Sequence, residues 1–243
     1  MKKNLIIIIV LLLSNQVFAQ FGQHFSELNK YKICVGVGTG IYWGHARLYT
    51  LPKTNNPDER TFAFSASFFK TFSDRIELGA RYTHTDLIGT KSGKSWGSTT
   101  LFNTTLDEVA LQANISLNRN LFLREEFYTI NLILGAGATY FEAELKDYAS
   151  GNIKSSVGKG INENGHIANK QLAGFGTIGL GFHVRLGQLV SVGIDNYLNI
   201  TSTKNLTGLT ITESVNQFDS YSVHLLTIGL RLGKGNKLFC PRI

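Results

Sequence analysis

The sequence has no long apolar segment beyond its N-terminus. The longest apolar run covers residues 5–13, well short of the about 20 residues that a membrane-spanning helix needs. Averaged hydropathy alone would therefore describe the remainder of the chain as soluble. Strands that alternate apolar and polar residues leave little signal in such an average, although they can cross a membrane. The sequence thus disfavours spanning helices and leaves a spanning sheet open.

A concentrated basic surface is also missing. The 24 Lys and Arg residues outnumber the 17 Asp and Glu residues, which gives a formal charge of +7. Lys2 and Lys3 lie in the N-terminal segment, and without them the value is 7 − 2 = +5. The other basic residues are scattered, apart from Lys234, Lys237 and Arg242. No basic stripe is interleaved with aromatic residues, so nucleic acid is not an expected partner.

The first residues have the features of a secretory signal peptide. A basic start precedes the apolar run, and small residues follow it up to Ala19, where we place the cleavage. The alternative is a membrane anchor, which the shortness of the apolar run disfavours. We therefore expect an exported protein that begins at Gln20.

Residues 31–43 set the pattern that the rest of the chain repeats. Their odd positions are apolar except for Thr39, and they are bounded by Tyr31 and Trp43, while even positions are mostly small or polar. This period of two is typical of a strand whose two faces meet different environments. Eight such strands are predicted, over residues 31–43, 61–69, 76–85, 106–117, 127–141, 171–185, 189–200 and 221–233.

The connections between these strands alternate between long and short. The long ones are polar, and the longest covers residues 142–170. Short turns at one end, longer loops at the other and an even strand number are typical of bacterial transmembrane barrels. The pattern predicts an all-β fold, an eight-stranded antiparallel up-and-down transmembrane β-barrel over residues 31–233. A leader is expected over residues 20–30 and a tail over residues 234–243.

The alternative fold is a soluble sandwich or lipocalin-like barrel, in which the apolar side chains would point inward. The polar strand faces are rich in glycine and alanine, which suits a narrow interior better than a solvated exterior. They also carry charges in mid-strand. These charges form the candidate lumen network, which consists of Glu77, Arg81, Glu108, Arg185, Asp195 and Arg231.

Opposite charges in a narrow lumen should pair, because an unpaired buried charge is costly. We expect Arg81 to pair with Glu77 or Glu108. We expect Asp195 to pair with Arg185 or Arg231. Eight strands enclose a space that side chains can just fill. The network is therefore interpreted as a structural plug, with a narrow pore as the alternative.

Two segments carry a resemblance to a known family. They are residues 35–44 (Val-Gly-Val-Gly-Thr-Gly-Ile-Tyr-Trp-Gly) and residues 226–233 (Leu-Thr-Ile-Gly-Leu-Arg-Leu-Gly). The chain resembles the small eight-stranded outer-membrane barrels of the OmpA/OmpX type, especially the β-barrel domains of the Bacteroidetes. The resemblance implies the bacterial outer membrane, with both termini periplasmic. The chain departs from the family pattern at its last strand. In the family this strand often ends on an aromatic residue, whereas here it ends on Gly233.

The chain has two cysteines, Cys34 in the first strand and Cys240 after the last strand. The ends of those strands are neighbours in a closed barrel, and an exported chain can form disulfides. A Cys34–Cys240 disulfide is therefore one expectation, and two free thiols are the other.

Two histidines could be interpreted as hydrolase sites. His84 is followed by Thr85 and Asp86, and His224 lies near Ser222 and Asp219. Outer-membrane enzymes that modify lipid A place His and Ser near the outer leaflet, but their His-x-Ser-Asn cluster is absent here. Both histidines are therefore interpreted as polar anchors, and no catalytic residue is assigned. The histidines also lack a metal-ligand spacing, so no metal or cofactor is predicted.

The expected function is accordingly non-enzymatic. The sequence predicts a structural or accessory component of the cell envelope, and a subunit of a larger secretion or assembly complex is one form of it. Expected partners are outer-membrane lipid and lipopolysaccharide, together with another envelope protein. The alternatives are a lipid A-modifying enzyme and a narrow pore.

Overall fold

The computed structural model describes residues 31–45, 61–73, 75–91, 100–118, 128–158, 171–186, 189–207 and 218–232. In these ranges the chain forms nine strands. They are β1 (Tyr31–His45), β2 (Thr61–Thr71), β3 (Ile76–Lys91), β4 (Thr100–Ser116), β5 (Tyr128–Asp147), β6 (Ile153–Val157), β7 (Gln171–Arg185), β8 (Val190–Thr201) and β9 (Asp219–Leu232). Among the described residues, no helix has the length and hydropathy needed to span a membrane.

Eight of the nine strands close into a ring. Each pairs antiparallel with its neighbours in the order β4-β3-β2-β1-β9-β8-β7-β5, and the pairing of β4 with β5 completes the circle. The first and last strands pair from Tyr31 opposite Leu232 to His45 opposite Asp219. The structure therefore confirms the predicted eight-stranded antiparallel barrel. The ninth strand, β6, pairs with the end of β5 and extends the sheet beyond the ring.

Strands β3, β4 and β5 each continue six residues beyond their predicted limits at one end. Strands β3 and β4 continue to pair as far as Lys91 opposite Thr100, although residues 86–105 are predicted as a loop. Strand β5 runs to Asp147 and forms a hairpin with β6 inside the predicted loop 142–170. Apart from Ile88 and Leu101, these extensions are polar on their outward face, so they lack the apolar stripe by which the other strands are recognised. Paired strands need no such stripe when water surrounds them.

Side chains alternate between the inside and the outside of the barrel along most of each strand. The inside holds groups such as Arg81 at 2% exposure and Glu108 at 0%, whereas Leu111 and Leu172 on the outside are 74% and 72% exposed. A soluble barrel would show the opposite arrangement. A mainly apolar outer surface, with the charged side chains inside, is what a barrel needs in lipid. The fold is thus a transmembrane barrel, and the soluble alternative is excluded.

The two ends of the barrel differ. Short connections lie between β2 and β3 and between β7 and β8, where Phe72 N–H donates to the Ile76 carbonyl and Leu186 N–H to the Val190 carbonyl. This end is called the turn end. The opposite end, called the loop end, carries the β5–β6 hairpin. Aromatic pairs ring the turn end, with Tyr31 stacked on Phe68 and Tyr128 stacked on Phe182. Aromatic residues at this level are typical of a membrane–water interface.

Candidate functional site

The centre of the lumen holds one buried ion pair. Arg81 of β3 and Glu108 of β4 lie 3.9 Å apart between Nη2 and Oε2, and both side chains are 1% exposed. The Arg81 guanidinium also lies 4.1 Å from the centre of the Tyr197 ring. A buried pair is stable only when further hydrogen bonds satisfy both partners.

The hydrogen bonds around this pair come from four other positions. Arg81 donates to Gln112 at 3.0 Å and to Thr177 at 3.4 Å. Glu108 accepts from the Asn199 amide at 3.3 Å and from the Tyr221 hydroxyl. The donors and acceptors belong to strands β4, β7, β8 and β9, so the pair links opposite walls of the barrel. This central layer crosses the whole lumen.

A second charged cluster lies nearer the turn end. Glu77 is 3.7 Å from the Lys32 amine and 3.6 Å from the Arg231 guanidinium. These side chains, together with Arg75 and Arg185, line a pocket at the turn end with a cavity volume of about 20 Å³, which is room for about one water molecule. One carboxylate thus faces four cationic side chains in a space that water can share.

Asp195 has a different partner from the one expected. Its Oδ1 lies 2.8 Å from His183 Nε2, with both side chains 8% exposed. The structure places Arg231 against Glu77 instead, and Arg185 on the wall of the turn-end pocket. It brings together Arg81 and Glu108, as the charge pattern suggests, and sets Arg81 apart from Glu77. Strands β7 and β8 are adjacent and paired, which accounts for the His183–Asp195 contact.

The loop-end half of the lumen is filled mainly by apolar side chains, with buried threonines and Asp219 among them. Its core contains Phe102, Phe141, Val223 and Leu225 at 1% exposure or less. Leu206, which follows β8, is 0% exposed and packs into the same core. Its backbone N–H donates to Asp219 at 3.0 Å, and its carbonyl accepts from the Thr104 hydroxyl. The chain after β8 therefore reaches into the barrel at this level.

The predicted disulfide concerns residues at the turn end. Cys34 is 5% exposed, faces the lumen and forms no disulfide within the described residues. Cys240 lies outside the described residues. The Cys34–Cys240 bridge and the free-thiol alternative both stay predictions. Nor do the described ranges contain a group of three His, Cys, Asp or Glu side chains that could hold a metal ion.

The outer wall carries two polar clusters among apolar side chains. In the first, Asp107 accepts from the Tyr82 hydroxyl at 2.8 Å and lies 2.8 Å from His84 Nδ1. The sequence suggested Thr85 and Asp86 beside His84, but the nearest carboxylate comes from the neighbouring strand, where His84 pairs with Asp107. Asp86 instead accepts from Thr105 at 2.9 Å.

The second cluster joins three strands. Ser222 Oγ lies 3.0 Å from His224 Nε2, and His224 Nδ1 lies 2.7 Å from Asn196 Oδ1. The Trp43 indole N–H donates to Ser222 Oγ at 2.6 Å. Asp219, which the sequence suggested as a partner, points inward and accepts from the Tyr42 hydroxyl at 2.7 Å. Asn196 and Trp43 were missed, because only the strand register brings them to His224 and Ser222.

Comparisons with known proteins add a likeness in shape. No family model and no curated protein matches the sequence. Among solved structures, Neisserial surface protein A is 11% identical, with 85% of this chain and 100% of that chain covered and a TM-score of 0.47. Ail of Yersinia pestis is 11% identical, with the same coverage and a TM-score of 0.43. A major outer membrane protein of Thermus thermophilus is 12% identical, with 83% and 99% covered and a TM-score of 0.42.

Proposed function

We propose that the protein is a closed, non-conducting barrel of the bacterial outer membrane that serves as a structural or accessory component of the cell envelope. Its interior supports the barrel, and its outer wall and its loop end make the contacts. Both chain ends lie on the periplasmic side in this proposal. The pairing of Tyr31 with Leu232 brings the two ends of the barrel chain to the turn end, and short turns face the periplasm in bacterial barrels.

The observation that carries the proposal is the filled lumen. The central layer around Arg81 and Glu108 crosses it, and the apolar core with Leu206 fills the half above. An eight-stranded barrel has room for side chains and little more. The turn-end pocket thus ends at the central layer. An ion would have to break the central layer to pass from one end to the other.

Planar lipid bilayers containing the purified protein should show no conductance steps above those of protein-free bilayers. Permeation would require Arg81 and Glu108 to separate and the apolar core to take up water, and both changes are costly. Single-channel recording at both polarities is the measurement. Reproducible open-channel steps from the wild-type protein would contradict the plug and support the pore.

The proposed contact region is the extension of β3, β4 and β5 at the loop end. Its outward face is charged and contains Glu142, Glu144 and Lys146, with Lys146 2.9 Å from Glu144. Lys154 of β6 lies 3.7 Å from Asp147 in the same region. Mixed charge on an extended sheet suits an envelope protein or the phosphate groups of lipopolysaccharide.

Purification of the full-length protein from its own membrane in mild detergent, followed by mass spectrometry, tests this role. We expect a partner in a fixed ratio and its loss in the variant Lys146→Glu/Lys154→Glu, because charge reversal disturbs a complementary surface. Lys70→Glu, an exposed charge reversal at the turn end, is the matched control and should keep the partner. Isolation of the wild-type barrel without any protein in a fixed ratio would contradict the accessory role.

A further inference from the structure

Three polar side chains form a directed chain of hydrogen bonds on the lipid-facing wall. Ser222 and His224 are two residues apart on β9 and therefore share one face, and Asn196 lies directly opposite His224 on β8. The distances are 3.0 Å from Ser222 Oγ to His224 Nε2 and 2.7 Å from His224 Nδ1 to Asn196 Oδ1. A hydroxyl, an imidazole and a fixed acceptor in this order are the parts of a nucleophile, its base and the group that orients the base.

The protons in this chain have a defined direction. The Asn196 amide oxygen can only accept, so His224 Nδ1 carries the hydrogen of the neutral ring. Nε2 is then left with a lone pair and accepts from the Ser222 hydroxyl. This tautomer is the one a histidine needs in order to remove a proton from a serine.

Trp43 completes the arrangement. It is the extra residue in a bulge of β1, because Tyr42 pairs with Tyr221 and Gly44 pairs with Ser220. Bulges redirect side chains, and here the indole N–H lies 2.6 Å from Ser222 Oγ. A donor so close to the nucleophile can donate to the oxygen of a carbonyl that has become bonded to it, which is the task of an oxyanion hole.

The surroundings of the cluster are apolar. Below it on β9 the outward side chains are Leu226, Ile228, Leu230 and Leu232, which are 38–56% exposed. On the neighbouring strands Ile41 and Leu198 lie opposite Ser222. The cluster lies at the loop-end border of this apolar surface, which is the level at which we expect the acyl carbonyls of membrane lipids.

We propose that Ser222, His224 and Asn196 form a serine esterase site for the acyl esters of lipids in the surrounding leaflet, with Trp43 as the oxyanion donor. Ser222 Oγ attacks the ester carbonyl while its proton passes to His224 Nε2. The alcohol portion of the lipid leaves with that proton, and the acyl group remains on Ser222. Water, losing a proton to His224, then releases the fatty acid and restores the serine.

This activity goes beyond the accessory role and does not depend on a protein partner. The ester can belong to a glycerophospholipid or to lipid A, since both present an acyl ester at the same depth. Ser222 is 4% exposed, so the Trp43 indole must turn from Oγ toward the carbonyl oxygen as an ester binds. The site therefore acts on lipid acyl chains that approach the outer wall laterally, from within the membrane.

The test uses the full-length protein in vesicles of phosphatidylethanolamine and, separately, of lipid A with phosphatidylethanolamine ethers that lack esters. We expect release of fatty acid from at least one of the two, measured by mass spectrometry, and the arm that responds identifies the lipid. Ser222→Ala should lower the rate by about 10³-fold or more, and His224→Ala similarly. Trp43→Phe should lower kcat by about 10²-fold.

The role of Asn196 as a positioning residue has its own readout. Asn196→Ala should lower kcat by about 10²-fold with little change in KM, and Asn196→Asp should restore most of it, since a carboxylate oxygen also accepts from Nδ1–H. Ser65→Ala, which removes a buried hydroxyl from the lumen, is the control and should keep the full rate. A difference in migration between boiled and unboiled samples in detergent gels shows that each variant is folded.

An alkyl fluorophosphonate gives a second measurement. Ser222 Oγ should displace fluoride and carry the phosphonyl group, and the peptide containing residue 222 should gain its mass in the wild-type protein and in Ser65→Ala. His224→Ala should remain unlabelled. Absence of both labelling and fatty-acid release in the folded wild-type protein would overturn the proposal, as would a Ser222→Ala variant that retains the wild-type rate.

Discussion

Replacement of Glu108 by alanine should lower the free energy of unfolding by about 3–5 kcal/mol. The change leaves the Arg81 guanidinium, which is 2% exposed, without its carboxylate. It also removes the acceptor of the Tyr221 hydroxyl and of the Asn199 amide. A buried charge without a partner costs more than the pair itself contributes, because no water reaches it. The central layer should therefore be the most sensitive part of the interior.

Urea titration of the protein in lipid bilayers measures this loss. Glu77→Ala is the matched control: it also removes a lumen carboxylate, but its partners Lys32 and Arg231 face the turn-end pocket. Lys32 is buried, but Arg231 keeps 22% of its side chain exposed there, so the expected loss is smaller, about 1–3 kcal/mol. In the double variant Arg81→Ala/Glu108→Ala the loss should fall short of the sum of the single losses by about 1–3 kcal/mol. Equal losses for Glu108→Ala and Glu77→Ala would contradict a dry central layer.

Substitution of Leu111 by arginine should lower the free energy of unfolding in a bilayer by about 2–4 kcal/mol. Leu111 projects from β4 with 74% exposure and lies beside Ala80 and Ala136 on the neighbouring strands, within the apolar stripe. A charge at this depth must leave water or pull water into the membrane. On a wall that faced water, the same change would be nearly neutral.

Phe72→Arg is the control for Leu111→Arg. Phe72 is 62% exposed and follows β2 at the turn end, where the chain reaches the membrane surface. The cost of a lipid-facing arginine falls to about 0–1 kcal/mol near the interface. Denaturant titration of both variants in the same vesicles separates the effect of membrane depth from the effect of losing an apolar side chain. Similar costs at the two positions would argue against the membrane placement of the apolar stripe.

The faces of the strands could be predicted from the sequence, because alternation is a local property. In β4, for example, Leu111 and Gln112 are neighbours, and each lies on the side that the pattern indicates. The extensions of β3 and β4 could not be predicted. Asp86 and Thr105 sit among polar residues that a turn would also use. Only pairing with each other, in water beyond the apolar stripe, makes them strand residues.

Contacts across the lumen were also out of reach. Arg81 and Glu108 lie on consecutive strands, so the pair could be suggested from strand order. Arg231 and Glu77 belong to β9 and β3, which are not adjacent in the ring, and the distance between them depends on how the barrel closes. The side-chain contacts on the outer wall depend on strand register in the same way. Nothing within the sequence near His224 indicates Asn196, which is 28 positions earlier.

The central layer also bears on the order in which the barrel assembles. Arg81 and Glu108 can meet as soon as β3 and β4 form a hairpin, but Thr177, Asn199 and Tyr221 arrive on β7, β8 and β9. A ring that has not yet joined β9 to β1 cannot supply the Tyr221 hydroxyl in its final place. Until β9 pairs with β1, the two charges lack part of their hydrogen bonds. Pairing of β9 with β1 is therefore the step that completes the central layer. Barrels in which these two strands are not yet paired are less stable.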